Sequence, residues 1–568
     1  MSASETSSQT TPGSGRSSEE EDEETDRDEE DGALLNSHLS LLDHRPDLVE
    51  LNEIRTAPIF TESVRKYARS LAGKTTDKPF SQYGLLAGDV SDESAQDSDP
   101  RIFWNIAAPS SFFICGSQGS GKSHTLSCIL ENALAPCSAN RLPHPLTGIV
   151  FHYDTFISDS GGSACEVAWL SSNPNIKVRV LCAPTNFRLT QRIYQEFPNV
   201  VVEELRLGES DLNTKRMLEL MAVTAGGNLP LYLHVAQRVL RDLRIEQQKK
   251  DTGFNYTLFK ENMMKEDLTD MQLAPLKQRL DTLESFMVEA QAKQYNMWAP
   301  NTTPKKTKGG PAGPTSRPTI TDGGTDWTPR NGSLTIVDLS CPCVTPEMAC
   351  SLFNICLSLF LEQESTKIGR ILALDESHKY MTESIECQAL TQSLLSVIRQ
   401  QRHMGARVVI STQEPTISPK LLDLCSVTVV HRFSSPDWLN ALRKHLAGVS
   451  SGGKLLERAR QLDLLSGETC ADEETVEGVS TLTLGGDGGS GDPALELFSR
   501  IVNLTVGEAL MFAPSAIVGV TKVNQPDEAK LGSKSSRGPK VKRLGHGVLK
   551  IRIRNRTTAD GGRSIMAA

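Results

Sequence analysis

Ser111-Phe112-Phe113-Ile114-Cys115-Gly116-Ser117-Gln118-Gly119-Ser120-Gly121-Lys122-Ser123 decides the fold. Its first five residues form an apolar run short enough to be a buried strand. The next eight match G-x4-G-K-[ST]. From His124 to Leu134 the pattern turns helical, with Leu126, Ile129, Leu130 and Ala133 on one face. Strand, glycine loop and helix in that order are the context that makes this motif a phosphate site. Glycines let backbone N–H groups close around phosphate oxygens, where Cβ atoms would intrude. The helix N-terminus adds its dipole. Lys122 is expected to neutralise the β- and γ-phosphates, and Ser123 to donate its hydroxyl to Mg²⁺. Gly116, Ser117, Gln118, Gly119, Ser120, Gly121, Lys122, Ser123 and His124 are therefore the residues expected to line a nucleotide, ATP with Mg²⁺.

A second anchor lies some 250 residues on, in Ile371-Leu372-Ala373-Leu374-Asp375-Glu376. An apolar strand ending in Asp-Glu is the Walker B pattern. Asp375 would hold Mg²⁺ and Glu376 would polarise the attacking water. The next strand-like run, Arg407 to Gln413, ends in a glutamine able to sense the γ-phosphate or position that water. Phosphoryl transfer usually needs a cation at the transition state, often from a neighbouring subunit. Arg399, Arg402 and Arg432 are the candidates. His378 has no second His or Cys at ligand spacing, so no metal role is expected of it.

Other P-loop classes do not fit. Ser450-Ser451-Gly452-Gly453-Lys454 is similar to a transporter signature but follows the Walker B strand instead of preceding it. The downstream Ser-Ala-Thr motif of two-lobed helicases is absent, and no Asn-Lys-x-Asp selects guanine.

Charge divides the chain unevenly. Residues 1–32 hold 12 acidic and 2 basic side chains, and the other residues balance at 58 of each, so the net charge of −10 belongs to the tail. It does not argue against nucleic acid as a partner. The 12 cysteines include no C-x-x-C, which points to a reducing compartment rather than zinc or disulfides. With no signal pattern and no apolar run near ~18 residues, a soluble intracellular protein without membrane contact is expected.

In chain order, 1–32 reads as a disordered acidic tail. Residues 33–100 have no assignable fold beyond a short helix at Thr61–Leu71. The first part of an ATPase core is expected over 101–297, with a helical insertion, then a flexible linker over 298–332. The second part runs over 333–525, interrupted by a glycine-rich insertion at 450–492, with one late strand in Gly507–Val520. A basic segment with one strand ends the chain over 526–568. From Asp527 onward there are 11 basic and 3 acidic residues. Leu549, Ile551 and Ile553 alternate there with Lys550, Arg552, Arg554 and Arg556, placing four cations on one strand face. That face is a candidate for tracking DNA phosphates. Lys534 to Arg543 is a candidate nuclear-import run.

Three segments, Ile371–Met381, Leu395–Pro415 and Thr428–Leu439, resemble the HerA/FtsK superfamily of hexameric DNA-pumping ATPases, most closely the HerA branch. The resemblance spans roughly 101–520. It implies an α/β, RecA-like P-loop core with a mainly parallel sheet and nucleotide bound between subunits of a homo-oligomeric, hexameric ring. It also implies DNA as partner, with Lys122, Ser123, Asp375, Glu376 and Gln413 at the nucleotide. Arg402 falls where the family often has Gly-Arg-Lys, but here the triplet is Gln401-Arg402-His403. The N-terminal β-barrel of HerA proteins has no counterpart strand series expected in 33–100. The alternative function is a nucleotide-dependent switch or remodelling ATPase acting on protein partners.

Overall fold

The structure is a computed structural model that describes residues 37–38, 41, 46–72, 79–91, 99–220, 231–288, 324–363, 368–445, 493–521 and 540–561. The expected acidic tail, the 450–492 insertion and residues 298–323 of the expected linker lie outside these. The chain divides into two compact units, 1–53 and 54–568. Described residues of the first are helical, and its last helix, Pro46–Thr56, runs across the boundary.

The second unit is built on one sheet. Its strands are β1 Ile59–Thr61, β2 Tyr83–Asp89, β3 Arg101–Asn105, β4 Ser111–Cys115, β5 Asn140–Arg141, β6 Thr147–His152, β7 Lys177–Cys182 and β8 Val200–Glu204. They continue with β9 Ser333–Asp338, β10 Arg370–Leu374, β11 Ala406–Thr412, β12 Val427–Val430, β13 Glu508–Phe512, β14 Ile517–Thr521, β15 Lys540–Arg543 and β16 Leu549–Ile553. Half of the sheet, in the order β12-β4-β11-β10-β6-β9-β7-β8, is parallel throughout. The other half continues from β12 through β13, β16, β2, β3, β1, β14 and β15, and every pair there but β1–β14 is antiparallel.

The parallel half follows from its sequences. Phe112 and Ile114 of β4 enter the core on one face, while Phe113 and Cys115 enter the core on the other. A strand covered on both faces needs a continuous apolar run, which is what β4, β10 and β11 supply. The helix Pro346–Glu362 starts where the Thr345 side chain accepts from the Met348 amide, with Pro346 at its first position. The helix Ile385–Met404 starts in the same way on Ser384. The leucines of Asp270–Phe286 belong to a helix packed on the core, since Leu276, Leu280 and Leu283 are all buried.

Three expectations are corrected. Residues 33–100 do contribute strands, β1 and β2. The latter was hidden because it carries Gly84 and Gly88 and no β-branched residue. Gly84 is there because a Cβ would lie 2.4 Å from Asn132 Cγ on the helix Lys122–Leu134. The single strand expected in Gly507–Val520 is two, β13 and β14, separated at Ala513–Ala516 by a turn holding Pro514. The basic C-terminal segment holds two strands, β15 and β16. Among the described residues no helix is long and apolar enough to cross a membrane.

Candidate active site

In a parallel sheet all strands end at one edge, and the functional side chains gather there. β4 ends at Cys115 and leads into the glycine loop. β11 lies between β4 and the Walker B strand β10, so Gln413 emerges between the phosphate loop and Asp375-Glu376. β12 ends beside β4 and delivers His431 and Arg432.

Gly116, Gly119 and Gly121 have φ of 154°, 71° and 110°. At Gly116 a Cβ would stand 2.6 Å from the Cβ of His431. His431 is fully buried between Thr125 Oγ1 (2.9 Å) and the Glu508 carbonyl (3.0 Å), and burial holds it down at about 4. It is therefore a neutral wall of the loop. The Ser117 amide and hydroxyl both donate to the Arg432 carbonyl at 2.9 Å, which seats the loop on β12. Lys122 starts the helix Lys122–Leu134 and its Nζ donates to the Ser117 carbonyl at 3.1 Å. Burial lowers its pKa, with Glu376 and Asp375 pulling the other way.

Asp375 is buried. Its amide donates to the Phe151 carbonyl of β6 (3.0 Å), and its Oδ2 faces His152 Nδ1 at 3.2 Å and Cys165 Sγ at 3.6 Å. Burial works to raise the Asp375 carboxyl, and the His152 and Cys165 contacts with Lys379 outweigh it and hold it low. Burial likewise works to lower His152, and Cys165, Asp375 and Asp338 leave it well above its ordinary value. The other carboxylate oxygen, Oδ1, is buried with no protein partner.

Glu376 adopts φ 46° and ψ 43°, left-handed backbone that a non-glycine residue holds only at a cost, and one that concentrates at active sites. Its Oε2 accepts from Gln413 Nε2 at 3.1 Å and lies 3.3 Å from His378 Nδ1. His378 is lowered, chiefly by burial. Lys379 reaches Asp154 at 3.1 Å and pins the turn after Glu376 to the end of β6.

Sequence reasoning missed Glu166. Its carboxyl lies near enough to the Ser123 side chain and to Asp375 to feel both, and it is raised, chiefly by burial. It sits in the turn Glu166–Ser172, which carries no motif. His152, Cys165 and Asp338 were missed for the same reason, although the ends of β6 and β9 could have been suspected from their place beside Walker B. Ser123, Glu166 and the bare Asp375 Oδ1 are all hard oxygen donors, a set that suits Mg²⁺.

Other expected residues fall elsewhere. The His124 ring faces the C-terminal segment, with Nε2 2.9 Å from the Arg554 carbonyl and Nδ1 3.6 Å from Asp560. Arg402 is exposed in the last turn of Ile385–Met404, at the start of β11 and so at the opposite edge of the sheet from Gln413. A seven-residue strand separates the two edges, roughly 20 Å. Within one chain it cannot join the site. The Arg432 side chain is exposed beside the phosphate loop, as is Gln118.

The four-cation face expected on β16 is corrected as well. Arg554 and Arg556, only 7% and 2% exposed, turn inward to Glu131 of the helix Lys122–Leu134. Lys550 and Arg552 remain outward and both pair with Glu508 of β13, at 3.3 and 3.0 Å. Backbone geometry explains this: the strand ends at Ile553, so period two no longer governs the last two arginines.

The architecture is that of a P-loop NTPase with an extra strand between its two motifs. No protein-family model and no curated protein matches the chain. Among solved structures it is similar to VirB4 of Thermoanaerobacter pseudethanolicus, at 10% identity over 83% of this chain and 96% of that one, with a TM-score of 0.38. So remote a likeness assigns no residue, and the site stands on its own geometry.

Proposed function

We propose that this chain is an ATP hydrolase of the HerA/FtsK type that couples hydrolysis to movement along DNA or to its remodelling. The observation that carries hydrolysis is the bridge from Gln413 to Glu376, set at one sheet edge with the phosphate loop and Asp375. The loop amides and Lys122 take the phosphate charge. Glu376, held by Gln413, orients water and accepts its proton. Ser123, Asp375 and Glu166 would hold the cation. When bound, Mg²⁺ would supply charge neutralisation to the phosphates. Gln118 and Gly119 of the loop are exposed at the sheet edge, where Arg432 or Arg402 of another copy would complete the site in a hexameric ring.

DNA as the substrate rests on the resemblance of the three segments around Walker B. A second reading, a remodelling ATPase acting on protein, gains from the inward turn of Arg554 and Arg556. With them spent, β16 offers two outward cations rather than four, worth a salt slope of at most ~2 at ~0.9 per phosphate. ATP turnover measured with and without duplex DNA separates the readings. Stimulation by DNA is the expected result, and an unchanged rate in an assembled, active protein overturns the DNA reading.

A further inference from the structure

The environment of Asp375 is built asymmetrically. Parallel register sets Leu374 beside Phe151, so the next residues, Asp375 and His152, also meet side by side. His152 and Cys165 both converge on Oδ2, while Oδ1 stays buried and bare. A carboxylate serving only the fold would have both oxygens satisfied, as nearly all buried polar groups do. The Cys165 half of the brace is itself held in place. The Cys165 amide donates to the Tyr194 hydroxyl at 2.9 Å, and that hydroxyl donates to Asp338 Oδ2 at 2.7 Å. Asp338 stands in register with His152 on the neighbouring strand. All of these groups are buried.

We propose that His152 is the positioning residue for the metal-holding carboxylate, with Cys165 as its second brace: together they occupy Oδ2 and turn Oδ1 toward Mg²⁺. The proposal rests on the reading of Asp375 as a magnesium ligand. Partners that fix a ligating carboxylate commonly matter about 10–100-fold in metal affinity or activity. The lone Oδ1 is what separates this role from ordinary packing.

The test uses the full chain with His152→Leu, His152→Gln and Cys165→Ala. Binding of a fluorescent ADP analogue is measured in EDTA and across a Mg²⁺ titration, beside ATPase rates over the same titration. In His152→Leu the Mg²⁺ needed for half-maximal binding and turnover should rise about 10–100-fold. Its affinity in EDTA should match the parent's. His152→Gln, which keeps a donor, should recover part of the loss, and Cys165→Ala should show a smaller shift in the same direction. If His152→Leu does not fold, the other two variants carry the test. An unchanged Mg²⁺ requirement in folded variants overturns the proposal. So does one equivalent of zinc bound by the parent and lost in Cys165→Ala, because the cluster would then be a metal centre of its own. A parent that binds ADP with Mg²⁺ dependence yet never hydrolyses ATP sinks the hydrolase reading and leaves this one standing.

Discussion

The two halves of the sheet are made by opposite rules. The parallel half is written locally at its centre: β4, β10 and β11 are apolar runs that end in the candidate site residues. Examples are Ile114-Cys115 before the glycine loop, Leu374 before Asp375, and Thr412 before Gln413. The antiparallel half is assembled from the two ends of the chain. β2 pairs with β16, and β1 with β14, across more than 400 residues of sequence. One half holds the candidate nucleotide site, and the other packs against its loop and helix. Residues 554–558 close on Glu131 through Arg554, Arg556 and the Thr557 and Thr558 amides. The Gly507 amide touches the Ser120 carbonyl, and the Ile553 amide reaches the Gly507 carbonyl.

If this division is right, substitutions in the parallel half stop chemistry without unfolding the chain, and those in the packing against it do the reverse. The largest effect belongs to the site. Glu376→Gln should cut ATP turnover by at least about 10²-fold, the scale of a lost general base. It should bind nucleotide normally, and relief of left-handed strain is not at issue because the backbone is retained. Lys122→Ala should lose productive binding itself. A Gln variant hydrolysing at the parent rate would remove Glu376 from the mechanism and leave the parallel half without its base.

The next effect belongs to this packing. Glu131 is buried, and removing it leaves Arg554 buried without its counter-charge and Arg556 with only the exposed Asp560. Breaking one partner of a buried pair costs about 3–5 kcal/mol. Glu131→Ala should therefore lower the urea midpoint sharply, and nucleotide affinity should fall only in step with stability. A stable Glu131→Ala with crippled hydrolysis would dissolve the division between the halves.

The same contrast explains what the sequence could reveal. The phosphate loop, Walker B and Gln413 were legible because strand and chemistry are contiguous there. β2 was not, because Gly84 answers to Asn132 on a helix formed nearly fifty residues later. Glu166 and Cys165 carried no pattern, since a turn brings them to Ser123 and Asp375 and no spacing encodes it. The alternation in Leu549–Ile553 did reveal a strand with a buried apolar face, Ile551 and Ile553. It could not reveal that the alternation stops at Ile553, which made Arg554 and Arg556 look like part of the same outward row.

That row provides the smallest and sharpest test. Arg552 is 61% exposed and pairs with Glu508, whereas Arg554 is 7% exposed and pairs with Glu131. An exposed pair is worth about 0–1 kcal/mol, because solvent screens it and two long side chains must be ordered to form it. Arg552→Gln should therefore cost less than about 1 kcal/mol. Arg554→Gln should cost several-fold more, since it takes the nearest cation from the buried Glu131, 2.8 Å away, and leaves it Arg556 at 3.9 Å. The Arg552 cost should also depend on pH. Burial works to raise the Glu508 carboxyl, and the Thr505 amide, Arg552 and Lys550 outweigh it and bring it from 4.5 to about 2. A depressed carboxylate stabilises the fold above its unfolded pKa, and the gain is lost as pH falls through the folded value. The gap between the parent and Arg552→Gln should thus be constant above about pH 4.5 and close toward about pH 2, read from urea midpoints at each pH. Equal losses from Arg552→Gln and Arg554→Gln at neutral pH would mean that the strand presents one uniform cationic face after all.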